Sequence, residues 1–105
     1  MITQEPLDPI YNRFKKLSPN EVWIDVRRPD EWAEGFIPGV KKITLADLEH
    51  TLSELDPEKT YVLICRSGNR SNQAAALMAT RGFEHLINFS GGMLSWYKAN
   101  YALAY

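Results

Sequence analysis

One stretch of the chain, residues 61–78, limits the possible fold more than any other. Four apolar residues lead directly into Cys65, which is the only cysteine. A short loop with two arginines and a glycine follows, and after it apolar residues recur at helical spacing. This pattern predicts a buried strand, a loop and a helix, with Cys65 at the carboxyl end of the strand. In open α/β sheets, ligands bind at that end of the strands.

The loop after Cys65 has the composition of an anion-binding site beside a nucleophile. A thiol attacks only as its thiolate, and Arg66, Arg70 and a helix start near Ser71 would each favour that form. Gly68 permits the tight backbone in which consecutive N–H groups surround an anion. A lone cysteine after an apolar strand is often only a small buried residue, but such a cysteine does not usually have these neighbours. We therefore predict that Cys65 is reactive.

Three segments of the chain resemble the signature motifs of the rhodanese (sulfurtransferase) family, and they occur in the family's order. They are residues 25–40, the loop of residues 65–71 and residues 89–96. The resemblance covers about residues 20–100. It implies a single rhodanese domain over residues 1–105 with an α/β fold. In that fold a mainly parallel central sheet of four or five strands is flanked by helices, which gives three layers, α/β/α.

The resemblance also implies a role for each residue of the loop. Cys65 would accept the sulfur, and the substrate-binding residues would be Arg66, Ser67, Gly68, Asn69, Arg70 and Ser71. The two arginines would grip an oxyanion, because guanidinium groups bind such anions through paired hydrogen bonds. Backbone N–H groups of the loop would stabilise the charge on the sulfur. Ser71 would in addition cap the helix that follows.

Asp25 and Arg27 are predicted to support the site. They lie two residues apart on a predicted strand, so their side chains face the same side. In the family this acidic-x-Arg pair lies near the active-site loop. The alternative is an ion pair or a loop anchor, for example Arg27 pairing with Glu31 across the following turn. Phe36 stands where many family members have histidine, which removes a polar group but no catalytic step.

Periodicity and turn residues place the remaining elements. A helix is predicted over residues 6–17, another opens at Thr44, and a last helix runs from about residue 93 to residue 101. Residues 2–3 leave room for only a short edge strand or for none. The tail of residues 102–105 is predicted to fray.

The predicted reaction is a covalent double displacement. Cys65 takes the outer sulfur of an anionic donor such as thiosulfate, sulfite leaves, and a thiol or cyanide then removes the sulfur from the persulfide.

Two other classes stay open: a non-catalytic rhodanese module that binds a protein, and a related cysteine-dependent phosphatase or arsenate reductase. Those related enzymes have five residues between cysteine and arginine. Here four residues separate Cys65 from Arg70, which makes a cradle sized for one sulfur atom.

Composition argues against several other classes. A net charge of −1 gives no strong attraction to nucleic acid or to an anionic membrane. His50 and His85 lack metal-ligand spacing, so neither a metal nor a cofactor is predicted, although a Cys–His pair stays open. There is no signal-peptide pattern and no membrane-length apolar run, which favours a cytoplasmic protein.

The expected partners are a small anionic donor, a thiol or cyanide acceptor, and a sulfur-relay protein.

Overall fold

The centre of the molecule is a five-stranded sheet in which every strand pair is parallel; the computed structural model describes residues 2–105. The strands are β1 (Ile2–Glu5), β2 (Glu21–Asp25), β3 (Lys41–Lys42), β4 (Thr60–Ile64) and β5 (Leu86–Phe89), in the order β1-β5-β4-β2-β3. The central strands are apolar on both sides: every residue of β5 is buried, and so is all of β4 after Thr60. A parallel sheet covered on both faces requires this pattern.

Helices cover both faces of the sheet. They are α1 (Leu7–Lys15), α2 (Pro29–Trp32), α3 (Leu45–Thr51), which continues into a 3-10 turn at Leu52–Glu54, α4 (Asn69–Thr80) and α5 (Gly92–Lys98). The sheet and its helices enclose two apolar clusters: Leu63 packs with residues of α3 and α4, whereas Val62 packs with residues of α1 and α5. The predicted three-layer α/β fold is therefore confirmed. No helix within residues 2–105 combines the length and the apolar character that crossing a membrane would need.

The edge strand β1 is longer than the sequence predicts. It pairs with β5 along its whole length, and the Ser90 N–H extends the ladder by donating to the Glu5 carbonyl oxygen at 2.9 Å. The Glu5 carboxylate also accepts two hydrogen bonds from Arg13 on α1, at 2.7 and 2.9 Å. The strand lacks a strong apolar signal because two of its four residues, Thr3 and Gln4, are exposed.

The C-terminal residues pack against the domain, so the prediction that they fray is wrong. The Phe36 N–H donates to the Ala104 oxygen at 2.9 Å, and the Ala104 N–H donates to the Phe36 oxygen at 2.8 Å. The Trp96 indole N–H donates to the Ala102 oxygen at 2.8 Å. Asn100, with φ of 58°, turns the chain back after α5, which ends earlier than predicted.

Candidate active site

Cys65 lies directly after β4, at the carboxyl edge of the sheet, and only 1% of its surface is exposed. The residues that follow turn back around the sulfur. The Gly68 N–H donates to Sγ at 3.1 Å, and the Ser71 Oγ lies 3.3 Å from Sγ. The predicted sequence of strand, loop and helix is confirmed, and its loop and first helical turn bring an N–H group and a hydroxyl oxygen within hydrogen-bond distance of the sulfur.

Gly68 makes the turn that closes this loop. Its φ is +95°, and a Cβ at this position would lie 2.6 Å from the Ser90 carbonyl oxygen. Gly68 is also the residue that precedes the first helical residue of α4, so the prediction that Ser71 caps the helix is wrong. Because the left-handed turn lets α4 begin at Asn69, Ser71 falls inside its first turn. Its hydroxyl is thereby directed to the sulfur and to β5.

The segment after β5 supports the loop from the side. The Met93 N–H donates to the Cys65 oxygen at 2.9 Å, and the Leu94 N–H donates to the Arg66 oxygen at 3.1 Å. Gly92 has a φ of +61°, and a Cβ here would overlap the carbonyl group of Arg66. Gly92 thereby turns the chain close beside the active site, and the first turn of α5 fixes the peptide groups that follow the nucleophile.

Arg70 is held by a carboxylate from α2. Its Nη1 donates to Oε1 of Glu31 at 2.7 Å, and its Nη2 donates to Oε2 at 2.8 Å. These hydrogen bonds lower the pKa of Glu31 to about 2, against the opposing effect of burial. They also raise the pKa of Arg70 above its ordinary value. The guanidinium edge that would grip an oxyanion is therefore occupied by Glu31, and Arg70 fastens the start of α4 to α2.

Asp25 and Arg27 form a buried ion pair at the end of β2, as the alternative interpretation expects, but the Arg27–Glu31 pairing suggested as an example is not formed. The Arg27 Nη2 lies 2.9 Å from Oδ2 of Asp25, and both side chains are at most 1% exposed. Burial opposes the charge, but the hydrogen bonds that Arg27 donates to the Asp25 carboxylate leave the pKa of Arg27 raised. Arg27 also donates to the Gly35 oxygen and to the Tyr97 hydroxyl, each at 3.0 Å. The pair therefore anchors the segment after α2 to α5.

The three other loop residues, Arg66, Ser67 and Asn69, are exposed at the mouth of the site. Within residues 2–105 the Arg66 guanidinium has no hydrogen-bond or ion-pair partner. Of the two loop arginines, Arg66 therefore has an unpaired guanidinium within residues 2–105, whereas both terminal nitrogens of Arg70 are bound to Glu31.

Asn88 is a site residue that sequence reasoning missed. It lies on β5, is 2% exposed, and its Oδ1 accepts a hydrogen bond from the Ser71 hydroxyl at 2.5 Å. Its Nδ2 donates to the Gly68 oxygen at 3.1 Å and to Oε1 of Gln4 at 2.7 Å. An amide inside an otherwise apolar strand is the signal that could have identified it, because buried polar groups need hydrogen-bond partners.

Neither histidine lies beside the sulfur. His85 comes directly before β5, at the amino edge of the parallel sheet, whereas Cys65 follows β4 at the carboxyl edge. His50 is exposed in the last turn of α3. The Cys–His pair that the sequence left open is therefore not formed. In the described part of the chain, no three His, Cys, Asp or Glu side chains are grouped to hold a metal ion.

Comparisons with known proteins agree with this geometry. The protein-family model of the rhodanese-like domain matches residues 10–99 of the chain. The chain is similar to the putative sulfurtransferase YtwF of Bacillus subtilis, with 42% identity over 73 residues that cover 70% of each protein. It is also similar to the thiosulfate sulfurtransferase GlpE of Pseudoalteromonas translucida, with 29% identity over 69% of each. A rhodanese-related protein from Thermoplasma volcanium has a similar structure, with a TM-score of 0.84, 26% identity and 97% coverage of both chains.

Proposed function

The chain belongs to the rhodanese-like domain family, and we propose that it transfers sulfur from an anionic donor through a persulfide on Cys65. It is an enzyme of the rhodanese-like sulfurtransferase class, as its relatives' names indicate. The surroundings of Sγ are the observation that most directly supports a persulfide on Cys65. The Gly68 N–H and the Ser71 hydroxyl both lie within hydrogen-bond distance of an otherwise buried sulfur, and both can stabilise negative charge there.

The first half-reaction loads the sulfur. The Cys65 thiolate attacks the outer sulfur of the donor, for example thiosulfate. The bond between the two donor sulfur atoms breaks, and its electron pair leaves with sulfite. Arg66, whose guanidinium is exposed and unpaired within residues 2–105, binds the donor's oxygen atoms at the mouth.

The second half-reaction removes the sulfur. A cyanide ion or a thiolate attacks the outer sulfur of the persulfide, the S–S bond breaks, and its electron pair returns to Cys65. The small buried sulfur site and the exposed loop around it suit either a small acceptor or the thiol of a relay protein. Both acceptors use the same chemistry at Sγ.

The loop favours sulfur chemistry over phosphate chemistry. A phosphatase directs its loop N–H groups and its closing arginine at the oxygen atoms of a phosphoryl group. In this chain the Gly68 N–H donates to Sγ, and both terminal nitrogens of Arg70 are bound to Glu31. This arrangement supports the smaller cradle that the four-residue spacing between Cys65 and Arg70 predicts.

Steady-state kinetics test the proposal. We expect thiocyanate to form from thiosulfate and cyanide with parallel double-reciprocal plots, which are the signature of a double displacement. The Cys65→Ser variant should form none, while its circular dichroism stays unchanged. If the chain instead hydrolyses an aryl phosphate, forms no thiocyanate, and loses the hydrolysis in Cys65→Ser, a phosphatase replaces the proposal.

A further inference from the structure

The Ser71 hydroxyl lies between two groups that compete for its single hydrogen, Sγ of Cys65 and Oδ1 of Asn88. The Gly68 carbonyl oxygen can only accept, and it lies 3.1 Å from Nδ2 of Asn88. The amide nitrogen must therefore face Gly68, and Oδ1 must face Ser71. Because Oδ1 carries no hydrogen, Ser71 is the donor in this bond. The sulfur is left facing the lone pairs of the hydroxyl.

The chain of hydrogen bonds continues from Asn88 to the surface. Its Nδ2 donates to Oε1 of Gln4 on β1 at 2.7 Å, and the Gln4 Nε2 donates to Oδ1 of Asn72 at 2.8 Å. Every bond after the sulfur runs outward, and aligned hydrogen bonds polarise one another. Reversing the direction of these hydrogen bonds would place Oδ1 of Asn88 against the Gly68 carbonyl oxygen, and two acceptors repel each other. The chain of hydrogen bonds therefore has one preferred direction.

We propose that Asn88 is a positioning residue: it directs the hydrogen of the Ser71 hydroxyl away from the sulfur while the sulfur is uncharged. A Cys65 thiol can donate its own hydrogen to the Ser71 Oγ, so the observed contact suits that form. A thiolate has no hydrogen, and its contact with Ser71 is favourable only when the hydroxyl donates to Sγ. When Cys65 ionises, the Ser71 hydroxyl must therefore turn its hydrogen from Asn88 to the sulfur. This leaves the buried Oδ1 of Asn88 without a hydrogen-bond donor.

This exchange would occur in both half-reactions. When an acceptor breaks the persulfide, the electron pair of the S–S bond goes to Sγ, and the Ser71 hydroxyl turns from Oδ1 of Asn88 to the sulfur. When the next donor is attacked, Sγ becomes uncharged and the hydroxyl turns back. Asn88 thus favours the loaded enzyme over premature release of its sulfur, at the cost of a less reactive thiol.

No charged side chain takes part in the hydrogen bonds of Ser71 with Cys65 and Asn88. The loop and α4 contribute Arg66 and Arg70, and α2 contributes Glu31. The end of β2 and the segment after it contribute Asp25 and Arg27, which are paired with each other. Neither β4, β5 nor the first turn of α5 contributes a charged side chain. A neutral substitution on β5 therefore leaves the surrounding charges in place.

Alkylation of Cys65 by iodoacetamide, followed against pH, tests the inference because the chain has one thiol. Asn88→Leu nearly preserves volume and removes the acceptor, which frees the Ser71 hydroxyl for the thiolate. We expect the midpoint of the rate profile to move to lower pH by roughly 0.5 to 1 unit. Asn12→Ala, on the exposed side of α1, should leave the midpoint unchanged.

The same substitution in the Ser71→Ala background separates hydroxyl positioning from simple loosening of the loop. We expect Asn88→Leu to shift the midpoint only when Ser71 is present. No shift, a shift to higher pH, or an equal shift in both backgrounds would overturn the inference. Asn88→Ala makes the same comparison if the leucine variant does not fold. The inference rests on Cys65 as the proposed nucleophile, but alkylation needs no sulfur donor, so a failure of sulfur transfer is recognised separately.

Discussion

The guanidinium of Arg70 and the carboxylate of Glu31 meet edge to edge, with nitrogen–oxygen distances of 2.7 and 2.8 Å. This contact joins the first turn of α4 to α2, so it fixes the arginine that closes the active-site loop. The exposed Arg66 guanidinium, in contrast, has no hydrogen-bond or ion-pair partner within residues 2–105. We therefore expect the two arginines to have different roles.

Removing the carboxylate should destabilise the fold. In Glu31→Gln, Arg70 loses its paired contact, and because the Glu31 side chain is 9% exposed, we expect a loss of about 2 kcal/mol in the free energy of unfolding. Urea denaturation measures this value. The neighbouring Asp30 is 71% exposed and, within residues 2–105, pairs only with exposed Arg28, so Asp30→Asn should cost under about 0.5 kcal/mol. Equal losses in both variants would contradict the account.

The same pair predicts how stability depends on pH. The hydrogen bonds from Arg70 lower the pKa of Glu31 from 4.5 to about 2 in the folded chain, so the folded state binds the proton less readily than the unfolded state. The stabilisation is fully present above about pH 4.5 and is lost as the pH falls to about 2. The stability difference between the wild type and Glu31→Gln should therefore shrink between pH 5 and pH 3. A constant difference over that range would show that Glu31 keeps an ordinary pKa.

Gly92 should be needed for activity as well as for folding. A Cβ at this position would overlap the carbonyl group of Arg66, so Gly92→Ala must displace the active-site loop. We expect the rate of persulfide formation to fall by at least about tenfold, which corresponds to about 1.4 kcal/mol in the barrier. Gly82 has a φ of +91°, but in the described part of the chain no atom beyond its own neighbours lies within 4 Å of an added Cβ, so Gly82→Ala adds backbone strain without a clash. It should lower stability and leave the rate unchanged.

Arg66 should act mainly on donor binding. In Arg66→Gln the charge and the paired N–H groups are lost, and we expect the KM for thiosulfate to rise about tenfold while kcat changes less. Arg81 lies beyond the far end of α4 and pairs with Glu49, so Arg81→Gln is the matched control and should change neither constant. An unchanged KM in Arg66→Gln would assign donor binding to other groups.

The sequence predicts the centre of the fold well because local signals agree there. The short apolar run before Cys65 predicts the buried strand β4, and Gly68 with the helical pattern after it predicts the loop between strand and helix. Family resemblance then supplies the order of the other elements. The physiological donor and acceptor, the cytoplasmic location and the single-domain organisation stay predictions.

Contacts between residues distant in sequence account for what was wrong or missed. Glu31 is close to Arg27 along the chain, but folding brings Arg70 to it from 39 positions away. Arg27 instead bonds to Asp25, the last residue of the strand that ends just before it. The tail is held by its pairing with Phe36, which no local pattern reveals. Asn88 acquires its role only when β5 lies beside β4 and the loop.

The most direct test of sulfur transfer through Cys65 is the intact mass of the purified chain before and after thiosulfate. We predict a gain of one sulfur atom, reversed by cyanide or by a thiol, and no gain in Cys65→Ser. If neither thiosulfate nor a persulfide donor adds sulfur to the folded chain, Cys65 is not the sulfur acceptor and the account is wrong.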